Sequence, residues 1–279
     1  MGRPSNRFIG GVPILQANLN HARQAQDLFL HTLAERCCGL GIVAEPYCPP
    51  AGGANWLTDA PPAGSSLVAV VWRGMEGSPP CGMVKRGAGY VAVRWGNTLV
   101  VAVYSPPSWD VTRFERQLAE IREVVGARLP GAVIVAGDLN AKSASWGCPR
   151  TDRRGGLLEE WMAVLGLSTF NVGATSTCVR PQGESIIDVT MVSLAAAHRV
   201  SSWRVAAELE TLSDHRYIEL RYTAAPQTVY GLRAREQRRW SLAKLDEGLL
   251  MESLYAQTWP GVSGQGDIDE VWERVRGIV

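Results

Sequence analysis

Residues 132–140 read AVIVAGDLN, in which five apolar residues, Ala132 to Ala136, run without a break into Gly137-Asp138-Leu139-Asn140. A short continuous apolar run closed by a Gly-containing polar turn is the pattern of a strand buried on both faces. Polar groups delivered at the end of such a strand occupy a typical site position. Ionised Asp138 can only accept hydrogen bonds, whereas the Asn140 amide both donates and accepts. A plain strand-ending turn is the alternative for the same residues.

Working back from this strand, Phe114, Leu118, Ile121 and Val125 recur at helical spacing and predict an amphipathic helix that ends near Pro130-Gly131. Before it, Tyr90 to Trp95 and Thr98 to Tyr104 flank Gly96-Asn97 and predict two strands joined by a two-residue turn. Leu67 to Trp72 predicts a Val-rich strand, and residues 49–65 (PPAGGANWLTDAPPAGS) predict a loop. The short apolar run Ile42 to Ala44 reaches Glu45. Residues 22–38 carry Ala25, Leu28, Phe29, Thr32 and Leu33 on one helical face, with Gly39 as the expected stop. Val12 to Leu19 alternates Leu15, Ala17 and Leu19 with Gln16 and Asn18, a half-buried strand. Forward of Asn140, a helix is predicted over Leu157 to Leu165, then shorter strands around Ser168–Val172, Ile186–Val192, Trp203–Leu209 and Tyr217–Tyr222. Strands outnumber helices, and hairpins mix with crossovers, which is an α/β pattern.

The character changes after Tyr222. TAAPQT is linker-like, GLRAREQRRW packs four Arg into ten residues, and Leu242, Leu245, Leu249 and Leu254 suggest a helix. Ile268, Val271, Trp272 and Val275 suggest another, beginning at Asp267 and still helical where the chain stops. The expected division is a flexible start over 1–10, a compact domain over 11–222, and a basic linker and helical segment over 223–279 leading toward a further domain of a longer polypeptide.

The whole chain has 279 residues, 46% hydrophobic and 20% charged, with 28 Lys+Arg against 27 Asp+Glu. That balance excludes disorder, collagen and coiled coil, and its length lets it bury a core without disulfides or a structural metal. No apolar stretch approaches the roughly 18–20 residues of a membrane helix. MGRPSNRFIGG lacks the apolar segment of a secretory signal, so an intracellular protein with six reduced cysteines is expected. The cysteines form no C-x-x-C pair, and four histidines without H-E-x-x-H argue against zinc. A net charge of +1 means that any hold on nucleic acid rests on local clusters.

Asn18, Glu45, Tyr104, Asp138, Asn140, Asp188, Asp214 and His215 all fall where core strands end. Charged groups in such places need partners or a metal. The carboxylates Glu45, Asp138, Asp188 and Asp214 suit a hard cation such as magnesium. In Leu212-Ser213-Asp214-His215 a carboxylate adjoins an imidazole, the side chain best able to trade a proton near neutral pH. Taken singly, each of these is also a turn, a cap or an edge residue.

As an ordered set, LQANL, IVAEPY, VAVYSPP, VAGDLNAK, SIIDVTMVS and LSDHRYIEL resemble the endonuclease/exonuclease/phosphatase superfamily over roughly residues 10–222. Within it, AEPY, YSPP, GDLNAKSASWG, TDRRG and IDVT are similar to the apurinic/apyrimidinic-endonuclease-like domain of insect non-LTR retrotransposons that insert in ribosomal DNA or telomeric repeats. The resemblance implies a DNase I-like four-layer α/β sandwich: two mixed β-sheets packed face to face and flanked by helices, here with a helical C-terminal extension. It implies Glu45 as the main ligand of Mg2+ (Mn2+ as a substitute), with Asn18 beside it and Asp214 helping to place the metal or its waters. Asp138 and Asn140 would orient the attacking water and hold a phosphate oxygen. His215, oriented and kept protonated by Asp188, would stabilise phosphate charge, and Tyr104 would donate to the scissile phosphate. Thr177 and Ser213 are further phosphate contacts by position.

Lys142, Arg150, Arg153 and Arg154 are candidate DNA contacts, as is Arg180 in VRPQGES, a turn-rich stretch able to form a hairpin entering a groove. A solvated charged loop is the alternative for residues 150–154. Trp146 could stack on a base or anchor packing. Ala141-Lys142-Ser143 lacks the asparagines of repair enzymes, which argues against abasic-site recognition, and Arg216-Tyr217 departs from the small or apolar residues common after S-D-H. The expected function is magnesium-dependent nicking of double-stranded target DNA, leaving a 3′-OH from which a downstream reverse transcriptase of the same polypeptide primes. By resemblance it acts in the nucleus after synthesis in the cytoplasm, with no membrane partner. The alternatives are another phosphodiesterase or phosphatase of the scaffold, on RNA or phospholipid, and a catalytically silent nucleic-acid-binding module.

Overall fold

A computed structural model describes residues 11–50, 55–60 and 65–223, all within one compact unit. The expected flexible start and the helices anticipated around Leu242 and after Asp267 lie outside the described residues. No helix among the described residues is long and apolar enough to cross a membrane.

Two six-stranded mixed sheets form the centre. The first contains β1 (Val12–Asn18), β2 (Leu40–Ala44), β3 (Trp56–Thr58), β4 (Val68–Trp72), β13 (Val200–Ala206) and β14 (Tyr217–Tyr222), ordered β13-β14-β1-β2-β4-β3. The second contains β5 (Cys81–Gly87), β6 (Tyr90–Trp95), β7 (Thr98–Tyr104), β8 (Val133–Asp138), β9 (Leu167–Thr169) and β12 (Asp188–Ser193), ordered β5-β6-β7-β8-β12-β9. Each sheet holds one parallel pair, β1–β2 and β7–β8, because those strands are joined by the crossover helices α1 (Arg23–Glu35) and α2 (Val111–Gly126). Strands β10 (Cys178–Arg180) and β11 (Gly183–Ser185) form a separate hairpin. Helices α3 (Arg153–Leu165) and α4 (Leu194–Ala197) and a 3-10 turn over Ala144–Trp146 complete the elements among the described residues.

Three apolar clusters correspond to the three interfaces of a four-layer sandwich. Ile14, Ile42, Val70, Val93, Val100, Ile134 and Leu220 fill the space between the sheets. Leu15, Ala17 and Val43 face Phe29 and Leu33 of α1, while Val101, Val135 and Met191 face α2 and α3. This explains the alternation in β1 and corrects one expectation. Gln16 and Asn18 are as buried as the apolar residues, since their face meets the second sheet rather than water.

Other boundaries differ for local physical reasons. Helix α1 ends before Gly39: the left-handed residue is Cys37 (φ 52°), and Gly39 is small because a Cβ there would stand 2.4 Å from Val12 Cγ1. Helix α2 stops at Gly126, short of Pro130. Helix α3 starts before Leu157, since Asp152 caps it by accepting from the Gly155 amide at 2.7 Å. Gly155 looks like a breaker in sequence, but a Cβ there would fall 1.9 Å from the Lys142 carbonyl, so its smallness serves packing. β3 emerges from the Pro/Gly-rich loop and β5 is an additional strand; both are edge strands without a fully buried residue, which leaves no hydrophobic alternation to read.

Candidate active site

The carboxyl ends of β1, β2, β7 and β8 gather the polar residues. Tyr104 is paired in register with Asp138 across β7–β8, and Asp138 with Asp188 across β8–β12, so three functional side chains stand in one line across the second sheet. Asn18 ends β1 in the first sheet and donates from Nδ2 to Asp138 Oδ2 at 2.9 Å. The other Asp138 oxygen accepts from the Asn140 amide at 2.9 Å. Asn140 sits at φ 45°, and its Nδ2 donates to the Ser105 carbonyl at 3.2 Å. Gly137 is required here, because at φ 152° a Cβ would lie 1.8 Å from the Val103 carbonyl oxygen in β7.

His215 is 1% exposed. Its Nδ1 lies 2.8 Å from Asp188 Oδ2, and its Nε2 has no hydrogen-bond partner among the described residues. That nitrogen is 3.9 Å from both Asp138 Oδ2 and Asp214 Oδ1, beyond the reach of a direct hydrogen bond to either. Burial acts to lower the imidazole, but the charge and hydrogen bond of Asp188 outweigh it and hold His215 up at about 12. Burial, reinforced by Asp188, pushes Asp138 up to about 7 against the opposing effects of His215, Asn140 and Asn18. The Tyr104 hydroxyl donates to Glu45 Oε1, and burial together with that carboxylate raises the phenol well above its ordinary value. Glu45 itself, at φ 47°, also faces His21 Nε2 at 3.5 Å.

Asp214 completes the set from the loop before β14. Its Oδ2 accepts from Arg180 Nε, which ties the β10–β11 hairpin to the site. The stretch 179–185 thus forms the hairpin expected of it. Ser213 Oγ donates to the Asn18 carbonyl at 2.9 Å, and fully buried Thr177 accepts at Oγ1 from the Ile187 and Asp188 amides, which fixes the start of β12. Lys142, Arg150, Arg153 and Arg180 are exposed. Arg154 is turned inward: it donates to the carbonyls of Ser105, Pro106 and Trp109 and lies 5.1 Å from the Phe114 ring centroid. Trp146 is 1% exposed with Nε1 bonded to the Ala141 carbonyl, a packing anchor rather than a stacking platform.

Sequence reasoning did not single out His21, Gln117 or Cys178. Gln117 is buried and donates from Nε2 to the Gly89 and Tyr104 carbonyls at 3.0 Å, while its Oε1 accepts from Ser105 Oγ at 2.5 Å, bracing the end of β7. Its position on the inner face of α2 carries no signal beyond helical spacing. As for a metal, one ligand atom from each of Asp138, Asp188 and His215 lies within 4.8 Å of the others, whereas Glu45, the expected main ligand, is in no such group among the described residues and meets Tyr104 and His21 instead. Oxygen donors of this kind, with an orphaned buried nitrogen facing them, fit a hard divalent cation together with a phosphate.

The fold is the DNase I-like sandwich, two mixed six-stranded sheets flanked by helices, that the ordered motifs imply. Residues 98–219 match the family described as endonuclease-reverse transcriptase, in line with the resemblance carried by those motifs. Among solved structures, the endonuclease domain of TRAS1, a telomere-specific non-LTR retrotransposon, is similar at TM-score 0.66 and 23% identity, over 76% of this chain and 98% of that one. The 3′ phosphatase NExo from Neisseria, bound to product DNA hairpin, is similar at TM-score 0.59 and 16% identity, over 76% of this chain and 99% of that one. The 3′-5′ exonuclease NExo from Neisseria meningitidis gives TM-score 0.59 and 17% identity, with the same coverage. No curated protein sequence matches the chain.

Proposed function

We propose that this domain is a magnesium-dependent DNA endonuclease that hydrolyses one phosphodiester of a double-stranded target and leaves a 3′-OH for a reverse transcriptase carried further along the same polypeptide. The observation that carries the reading is His215 Nε2: buried, without a partner among the described residues, and held on its other side by Asp188 at 2.8 Å. A fixed imidazolium aimed into a cleft of carboxylates is a donor preorganised for a phosphate oxygen. Asp138, braced by Asn18 and Asn140, accepts a hydrogen of the attacking water and orients it in line. Tyr104 turns its hydroxyl from Glu45 to the phosphate when substrate enters. Glu45, with Asn18 and Asp214, would hold the magnesium, which would neutralise charge on the phosphate. Lys142, Arg150, Arg153 and Arg180 supply contacts to the DNA backbone and groove. The match to endonuclease-reverse transcriptases and the likeness to a telomere-specific retrotransposon endonuclease favour DNA over the RNA and phospholipid substrates of the scaffold. The same reading makes residues 11–222 the nuclease domain, the tail a connector, and the nucleus the place of action.

Supercoiled plasmid incubated with the full chain tests this. Magnesium should convert it to the open circle, chelator should prevent that, and primer extension should map nicks to preferred sequences with a 3′-OH extendable by a polymerase. A folded wild-type protein that leaves the plasmid supercoiled in magnesium and manganese would overturn the proposal.

A further inference from the structure

The sequence spacing of cysteine and histidine argues against zinc, yet the fold assembles a ligand set that spacing alone does not suggest. Cys178 and His215 face each other in an isolated antiparallel bridge, flanked by Val179 N to Asp214 O at 2.8 Å and Arg216 N to Thr177 O at 2.7 Å. The two segments are therefore locked side by side. One ligand atom from each of Cys178, Asp214 and His215 lies within 4.8 Å of the other two. Cys178 is 2% and His215 1% exposed, and His215 Nε2 is a buried nitrogen with no hydrogen-bond partner among the described residues. Arg180 occupies Asp214 Oδ2, so Oδ1 is the oxygen that faces this nitrogen, with Ser213 Oγ 3.4 Å away. The Asp214 side chain, 21% exposed, provides the way in.

We propose that Cys178, Asp214 and His215 bind a thiophilic divalent cation, of which zinc is representative, and that occupation of this site silences the phosphate site. Zinc bonds of about 2.0–2.3 Å put tetrahedral ligands roughly 3.5 Å apart, so the 3.9 Å between His215 Nε2 and Asp214 Oδ1 closes with a shift of a few tenths of an ångström. Sulfur and imidazole select such a cation over magnesium, which prefers oxygen. Asp188 on Nδ1 is the outer carboxylate that orients a metal-bound histidine. Three protein ligands leave the fourth position to water. Binding releases the Cys178 thiol proton and the Nε2 proton to solvent. Zinc and a phosphate oxygen cannot share Nε2, so inhibition follows from the proposed function, whereas binding does not depend on it.

Cobalt titration of the full chain reads binding directly, through the near-ultraviolet charge-transfer absorption of a cobalt–thiolate bond. The wild type should show a band that saturates at one equivalent and is bleached by zinc. Cys178→Ser should abolish it, Asp214→Asn should weaken binding roughly tenfold or more, and replacing the exposed Cys37 and Cys48 by serine should leave it intact. Absence of the band in wild type, or its persistence in Cys178→Ser, would overturn the site. In parallel, zinc added against excess magnesium should suppress plasmid nicking by the wild type but not by Cys178→Ser, each measured against its own zinc-free rate. A cobalt band that depends on Cys178 alongside zinc-insensitive nicking would overturn the competition. If wild type nicks nothing under any condition, the proposed function fails while the band still decides the site.

Discussion

Asn18 Nδ2 donates to Asp138 Oδ2 at 2.9 Å, although the two residues lie 120 positions apart and on different sheets. This bond joins the sheets at the end where the polar groups collect, and both side chains are buried. A buried carboxylate deprived of its donor carries a desolvation cost that water cannot relieve. Asn18→Ala should therefore lower stability by about 1–3 kcal/mol and slow nicking more than that loss alone explains. Urea unfolding together with single-turnover nicking measures both, and an unchanged nicking rate would detach Asn18 from the site.

His215→Gln keeps volume and polarity but cannot present a cation to the phosphate. Nicking should fall by about 10²–10³-fold or more with the circular dichroism spectrum unchanged. Full activity in the purified variant would refute the assignment.

The same histidine predicts how stability depends on pH. Its folded value is raised, to about 12 from 6.5, by Asp188 against the effect of burial, so the folded state binds the proton more tightly than the unfolded chain. The stabilisation is fully present below the unfolded value and is lost as pH rises toward the folded one. In chelator, the wild-type melting temperature should fall from about pH 7 to about pH 10 more steeply than that of His215→Gln. Parallel curves would show that the ring is not charged in the native state.

Gly137→Ala places a methyl group against the Val103 carbonyl in a region of φ that L residues avoid. The parallel β7–β8 pairing that carries Tyr104 and Asp138 cannot yield without dismantling the line of functional residues. The variant should lose about 3 kcal/mol or more, read by chemical denaturation. Wild-type stability would show that the strand end can move apart.

Arg153 and Arg154 are neighbours with opposite expected phenotypes. Arg154 holds three carbonyls of the loop between β7 and α2, so Arg154→Ala should cost about 1–3 kcal/mol of stability and leave the salt dependence of DNA binding unchanged. Arg153 is exposed, and Arg153→Ala should keep stability while lowering the salt slope of binding by about one. Equilibrium binding at several salt concentrations separates the two, and exchanged phenotypes would reverse the assignment.

What the sequence by itself determined are the strands whose burial pattern is strong. The β6–β7 hairpin, the AVIVA strand and Tyr217–Tyr222 are where periodicity and turn residues place them, and the order of polar residues at strand ends carries the resemblance from which the sandwich fold follows. Local pattern reports whether a residue is buried but not against what. Gln16 and Asn18 therefore read as a wetted face, because only the second sheet covers them. Edge strands β3 and β5 are illegible because neither has a fully buried residue to give an apolar pattern. The tertiary structure alone decided that Arg154 serves a loop, that Gln117 braces the end of β7, and that Cys178 lies beside His215. Each of those outcomes depends on partners from 12 to 49 residues away along the chain, whose distance is set by packing of the two sheets and their helices rather than by any propensity of the residue itself.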